Sequence, residues 1–339
     1  MSKKITHIET LKLERDGLKQ DLPGFGKKYI NIVDYILEIT EDIWEKKEID
    51  VINETYEKDI LIHTGARIIN GVETVITGTI DTLASFPDRK MGGEAVIWST
   101  DNKGDFYSSH RIISTATNLG ETIYGKATGK KITFRTIADC KVANNKIYKE
   151  WLVRDNLSIL LQLGFDPVEM AKKDATYKKT PIAIPINSNQ EIAKQDLEYP
   201  ENLVYSLITN VWKQNNFEDL AEYLAADSTL YAVGNQEISG ITKIKEYIQT
   251  VLASFSDLSI GIERITSNRE EGLTHIAARW YLKGKTTEEG VFGKHSVDEI
   301  FIPVLSHYTV KNGKITDEWM VYDGFDALCQ IYSQTNTQI

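Results

Sequence analysis

The chain is nearly without cysteine: Cys140 and Cys329 are the two among 339 residues. They fall in different halves, so a disulfide framework is excluded as the source of stability and a reducing compartment fits. No stretch approaches the ~20 consecutive apolar residues of a membrane helix. The opening residues, MSKKITHIETLKLERD, lack the apolar core and small-residue cleavage site of a secretory signal. A soluble, cytoplasmic protein with no membrane partner is the expectation. Basic residues are outnumbered, 39 Lys and Arg against 49 Asp and Glu, for a formal net charge of −10. That balance offers no basic stripe for nucleic acid, and none is expected as a partner.

Several chemistries are missing as well. The six His and two Cys never stand at spacings such as H-x-x-x-H or C-x-x-C, so no metal site is indicated. GETIYGKA at 120–127 has a phosphate-loop spacing, but Ala127 stands where a Ser or Thr must hold magnesium, and the segment lies among strands. No G-x-S-x-G elbow is present to activate a serine. No cofactor is expected.

What is present is an ordinary globular composition, 41% hydrophobic and 26% charged, written twice. Residues 141–164, KVANNKIYKEWLVRDNLSILLQLG, align without a gap on 309–332, TVKNGKITDEWMVYDGFDALCQIY, with ten identities in 24 positions. LASFPD at 83–88 aligns on LASFSD at 252–257, and Trp44 on Trp212. A period near 168 residues means two copies of one domain, not a solenoid. The expected organisation is an N-terminal extension over 1–29, a first domain over 30–170, a linker over 171–198 carrying Pro181 and Pro185, and a more divergent second domain over 199–339.

Each copy opens with a helix. In the first, Ile32, Tyr35, Ile36, Ile39, Ile43 and Trp44 share one helical face, and Leu203 to Lys213 opens the second in the same way. A later helix over 72–86 or 241–255 precedes alternating segments that read as strands, with Asn144-Asn145 and Asn312-Gly313 as hairpin turns. Helices followed by an antiparallel sheet give an α+β fold.

The FPD, the GKATGKKITFR segment and NKIYKEWLVRDNLSILLQLG resemble the SnoaL-like polyketide cyclases of the nuclear transport factor 2-like superfamily. The resemblance covers about 30–166 and, more loosely, about 200–332. It implies two tandem cone-shaped domains, each a curved antiparallel sheet wrapped by helices around a pocket. It also implies a small apolar carbonyl ligand and acid–base chemistry without metal or organic cofactor: aldol cyclisation, isomerisation or dehydration. Some relatives are non-catalytic binders, which makes a ligand carrier the alternative. Because the family pairs through its sheets, an internal pseudo-dimer of the two copies and a homo-oligomer are the implied assemblies.

Asp155 is where the residues and the resemblance meet. Strand alternation puts Ile147, Trp151, Val153 and Asp155 on one face, joined across the hairpin by Phe134, Thr136, Ala138 and Cys140; in the second copy it groups Trp319, Val321 and Asp323 with Tyr308, Ser306 and Ile302. A carboxylate at the end of an apolar surface has its pKa raised and can exchange a proton beside a carbonyl. Asp155 and Asp323 also each precede a helix-like segment, so both equally read as N-caps. Family members often pair the aspartate with a histidine, at the positions here occupied by Cys140 and Tyr308; Tyr308 can donate to an oxyanion. His63, in a polar LIHTG turn, resembles a residue near the family's pocket entrance, with Tyr231 in its place in the second copy. His110 sits on a strand whose inward face the sequence leaves open. Trp151 and Trp319 are pocket-wall candidates.

Overall fold

The computed structural model describes residues 19–65, 67–101, 104–174, 192–270, 272–292 and 296–335. Most of the expected linker, 175–191, and much of the N-terminal extension, 1–18, lie outside the described residues. The chain forms two compact units: Met1–Thr64 with Ile68–Leu152 and Ile159–Phe165, and Gly65–Arg67 with Val153–Ser158 and Asp166–Ile339.

The first repeat starts with α1 (Ile32–Trp44), whose N-terminus is closed by reciprocal bonds: Asn31 Oδ1 accepts from the Asp34 amide at 2.8 Å, and the Asp34 carboxylate accepts from the Ile30 amide at 3.1 Å. Its apolar stripe of Ile32, Tyr35, Ile36, Ile39 and Ile43 is buried, as the 3.6-residue period requires. Then come α2 (Asp50–Thr55), β1 (Tyr56–Thr64), β2 (Arg67–Asn70), α3 (Val72–Ser85), β3 (Lys90–Thr100), β4 (Phe106–Thr117), β5 (Lys131–Ala143), β6 (Lys146–Arg154), α4 (Asn156–Leu163) and α5 (Pro167–Lys173). The sheet order is β2-β1-β6-β5-β4-β3. It is mixed: β3, β4 and β5 run antiparallel, while β1 lies parallel to β6.

The second repeat has the same permutation. A helix, α6 (Glu201–Ser206), widens into π geometry over Leu207–Lys213 and is followed by α7 (Leu220–Tyr223), β7 (Leu224–Ala232), β8 (Gln236–Ser239), α8 (Ile241–Leu252), β9 (Phe255–Glu270), β10 (Leu273–Thr286), β11 (Ile300–Lys311), β12 (Lys314–Tyr322) and α9 (Gly324–Thr335). Its order is β8-β7-β12-β11-β10-β9, again with one parallel pair, β7 and β12. Both expected hairpin turns form, with φ of 49° and 66° at Asn144 and Asn145 and 50° and 76° at Asn312 and Gly313. The left-handed conformation at both central positions matches the twist of the flanking strands.

One alternation expected from sequence is overturned. Between Thr309↔Asp317 and Val310↔Ile315 the ladder slips by a residue, so β12 carries a bulge at Thr316. Beyond it Tyr308 stands opposite Glu318, Ser306 opposite Met320 and Val304 opposite Tyr322. Directly opposed residues share a face, so Glu318, not Trp319, joins Tyr308. In the first repeat the register against β1 also shifts, and Glu150 pairs with core-facing Ile62 while Trp151 pairs with His63. Period-two reasoning fails across a bulge because one extra residue flips every side chain after it.

The cores differ. Among the described residues the second unit holds one continuous apolar cluster that includes Trp212, Ile276, Trp280, Val304, Tyr308 and Ile331. The first unit holds two separate ones, a larger group under α1 with Tyr35, Ile62, Phe106 and Cys140, and a smaller one with Ala116, Ile132, Phe134, Ile159 and Leu163. No helix among the described residues is long and apolar enough to cross a membrane.

Candidate functional site

Polar residues fill the gap between the two apolar clusters of the first unit. On β4, Phe106, Ser108, His110, Ile112 and Ser114 lie on one face, opposite Val142, Cys140, Ala138, Thr136 and Phe134 of β5. This face looks toward the helices, because the Phe106 ring meets Phe25 at 5.7 Å and joins the cluster under α1. His110 therefore points inward and is 3% exposed. Burial, with the charge of neighbouring Arg111 adding to it, pushes its pKa down to about 3, so the ring is neutral in ordinary buffers.

His110 Nε2, Ser108 Oγ and Thr136 Oγ1 are all buried and have no hydrogen-bond partner among the described residues. A buried group left in that condition costs ~1–3 kcal/mol, and three on one patch are more than a folded interior usually tolerates. Glu150 is buried on the same inner surface. Burial first, then the Glu150 charge, raises the Cys140 thiol and the Tyr56 phenol well above their usual ranges. Further along the face a buried guanidinium, Arg89, lies over the Trp44 ring at 4.6 Å and the Phe134 ring at 5.2 Å and donates to Ser114 Oγ at 3.1 Å. Among the described residues no group of His, Cys, Asp or Glu is placed to hold a metal ion.

The repeated aspartates are not part of this patch. Asp155 follows the end of β6; its Oδ1 accepts from the Ser158 amide at 3.0 Å and its Oδ2 from the Gly234 amide. Asp323 stands at the equivalent corner, with Oδ1 accepting from the Phe325 and Asp326 amides at 3.0 and 3.1 Å and Oδ2 accepting from Asn156 Nδ2. Both are helix caps in geometry. Burial pushes the Asp323 carboxyl up to about 6 in spite of these donors.

The structure brings His63 and Trp151 together, but on the opposite face of the sheet from Glu150. His63 lies within β1, not in a turn, and its ring stacks on Trp151 with centroids 5.5 Å apart and planes at 16°. Tyr231 and Trp319 repeat the arrangement at 5.0 Å and 7°. Cross-strand stacking of this kind stabilises a sheet pair.

In the second unit most of the inner patch has been replaced. The register puts Ile276, Ala278 and Val304 where Ser108, His110 and Thr136 stand, and Trp280 where Ile112 stands. Polarity survives around Tyr308, which faces Glu318 with Ser306 beside it, and Tyr308 Oη and Glu318 Oε1 are buried without a hydrogen-bond partner among the described residues. Burial pushes the Glu318 carboxyl up to about 7, while the Tyr308 and Ser306 hydroxyls draw it back.

Glu150 and Ser108 are the residues that sequence reasoning passed over, and Thr136, which it placed on the sheet face with Cys140, was given no role. The Glu that opens both EWLVRD and EWMVYD carried the signal, since it recurs at the same offset as the Trp and the Asp. Offsets of 168 for the arginine and 169 for the glutamate also relate a repeated, largely buried ion pair: Arg111 Nε to Glu94 at 3.0 Å, and Arg279 Nε to Glu263 at 2.7 Å.

Two helix-first, six-stranded mixed sheets with one strand permutation define tandem nuclear transport factor 2-like α+β domains. The profile of the SnoaL-like polyketide cyclase family matches residues 35–163 and again 202–331, and the chain belongs to that family. No curated protein matches the chain significantly. Similar solved structures include AclR from Streptomyces galilaeus, at 19% identity over 38% of this chain and 92% of its own with a TM-score of 0.34. TsrD from Streptomyces laurentii aligns at 13% identity over 39% and 94%, TM-score 0.35. A SnoaL-like polyketide cyclase from Agrobacterium tumefaciens aligns at 17% over 39% and 97%, TM-score 0.32.

Proposed function

We propose that the first domain binds a small, largely apolar molecule carrying a carbonyl or hydroxyl oxygen, on the inner sheet face between its two apolar clusters. The observation that carries this reading is the set of three buried polar atoms, His110 Nε2, Ser108 Oγ and Thr136 Oγ1, on neighbouring positions of one face. A bound oxygen supplies the partners these groups lack, and the flanking aromatic and aliphatic side chains cover the rest of the ligand. Glu150, on the same surface, is the carboxylate we assign to any cofactor-independent proton transfer beside the carbonyl: cyclisation, isomerisation or dehydration. Cys140 takes the place of the family's histidine as a pocket wall and not as a base, because its thiol is held protonated.

A second reading keeps the chemistry at Asp155, which is buried at the end of β6. Against it stands the fact that both its carboxylate oxygens already hold backbone amides. We therefore give Asp155 and Asp323 the capping role, and Trp151 with His63, like Trp319 with Tyr231, the role of stabilising the parallel strand pair. In the second domain we assign no ligand, since Ile276, Ala278 and Val304 stand in place of the three polar residues and the polar groups that remain, Tyr308, Ser306 and Glu318, face one another.

Titration with aryl ketones, followed by tryptophan fluorescence, tests the reading. Saturable binding of one equivalent per chain is expected, weakened at least ~10-fold in His110→Ala, the loss of one good hydrogen bond. Absence of saturable binding, or affinity unchanged in both His110→Ala and Thr136→Val, would sink the site. Exchange of the bound ketone's α-protons into D2O, read by NMR, then separates the alternatives. Exchange lost in Glu150→Gln supports catalysis there, exchange lost only in Asp155→Asn moves it to Asp155, and no exchange leaves a carrier.

A further inference from the structure

The β4–β5 loop of the first unit is built to hold apolar side chains in the solvent. Ile123 is 92% exposed and Leu119 57%, and Leu161 of α4 is 58% exposed. Single exposed hydrophobics are commonplace, but these three lie at one end of the unit. Gln162, next to Leu161, clasps the backbone of Thr133 at the start of β5 through two bonds of 2.8 Å, and Tyr124 and Phe165 belong to the same apolar cluster.

The exposure is not a consequence of slack. Buried Asn118 accepts from the Thr128 amide and donates to the Gly120 carbonyl, both at 2.8 Å, and its own amide reaches the Lys130 carbonyl at 3.0 Å. The Leu119 and Gly120 amides both donate to the Ser85 carbonyl at 3.1 Å, and Thr122 and Gly125 exchange backbone bonds of 2.8 and 3.1 Å. In that turn Tyr124 tucks inward and Ile123 is left at the tip. The corresponding loop of the second unit repeats the arrangement in weaker form: Val291, aligned with Ile123, is 40% exposed, while Phe292, aligned with Tyr124, is buried and meets the Phe255 and Tyr322 rings at 6.0 and 6.1 Å.

Charge separates the loops too. Residues 118–130 carry Lys126 and Lys130 against Glu121, a net of +1 in a chain of net −10, with Lys131 opening β5 next to them, whereas 287–299 carry Glu288, Glu289, Asp298 and Glu299 against Lys294, a net of −3. An apolar tip with a lysine collar matches an anionic lipid surface, where the tip enters the acyl boundary and the lysines meet the headgroups. Three side chains are too small a patch for a stable protein interface, which needs ~800 Å² from each partner.

We infer that the 118–130 loop, with Lys131 at the start of β5, docks the first domain peripherally on anionic membranes. The expectation of no membrane partner rested on the lack of a spanning segment, which a surface loop does not need. The inference is independent of the ligand reading and survives its failure.

Co-sedimentation of the full chain with phosphatidylcholine vesicles, with and without phosphatidylglycerol, is the test. Binding to the anionic vesicles is expected to be lost at high salt and to fall about ten-fold in Ile123→Ser and again in Lys126→Glu, at exposed positions where melting stays unchanged. Equal capture by neutral and anionic vesicles, or an Ile123→Ser variant that binds like the parent, overturns it. Ile123-dependent self-association in place of vesicle binding would make the loop a protein contact and the lipid assignment wrong.

Discussion

The two domains share everything that shapes the fold and diverge where a ligand would lie. Strand order, the parallel pair, the left-handed hairpin turn, the stacked ring on Trp151 or Trp319 and the capping aspartate all recur. Ser108, His110 and Thr136 do not; Ile276, Ala278 and Val304 replace them within a single continuous core. The second interior is not wholly satisfied, since Tyr308 Oη and Glu318 Oε1 are also buried without a hydrogen-bond partner among the described residues, but at these three positions apolar side chains replace polar ones, and burial of apolar surface there is stabilising. The first copy holds Ser108, His110 and Thr136 in its interior at a cost in stability, which the proposed reading assigns to ligand binding.

The sharpest test of this contrast lies at the polar remnant of the second domain, where Tyr308 and Ser306 meet Glu318. The Glu318 carboxyl has a folded pKa near 7 against an ordinary 4.5. A raised carboxyl pKa means that the folded state holds the proton more tightly, so this stabilising contribution is full below about pH 4.5 and lost as pH rises through about 7. Urea unfolding of Glu318→Gln is expected to show ~3 kcal/mol more stability than the parent at pH 8, shrinking toward pH 5. A parent with no such slope would mean that Glu318 is paired well enough to stay charged.

Next come the caps. Asp323→Ala is expected to lose ~2 kcal/mol, because it leaves two buried backbone amides without an acceptor, and Asp155→Ala ~1–2 kcal/mol, because it orphans the buried Ser158 amide and the more exposed Gly234 amide. Asn should recover about half, since one amide oxygen replaces two carboxylate oxygens. Loss at one position but not the other would break the symmetry, and stability gained in Asp155→Ala would return that residue to the list of functional acids.

Much of this organisation is legible in the sequence, for physical reasons that can be named. The repeat, the helix over 32–44 and the hairpin turns are local patterns, set by periodicity and by Asn or Gly at positions needing positive φ. The N-cap reading of Asp155 was also local. What could not be read was the inner face. A bulge at Thr316 reverses the alternation in β12, and a register shift between β1 and β6 accompanies the same outcome in the first copy, so Glu318 and Glu150 take the inward direction that simple counting gave to Trp319 and Trp151. His110 needed the neighbouring strands to fix its direction, because Phe106, Ser108 and Ile112 alternate with equally buried Tyr107, Ser109 and Arg111.

The smallest change is the most direct test. Thr136→Val writes the second domain's residue into the first and alters one buried hydroxyl to a methyl of nearly the same volume. With Thr136 Oγ1 held in reserve for a ligand, unfolding free energy should stay level or rise by ~1 kcal/mol while ketone binding weakens. A loss of more than ~1 kcal/mol, with binding unaltered, would show the hydroxyl to be a structural bond and contradict the claim that the first domain has kept an unfilled interior for a ligand.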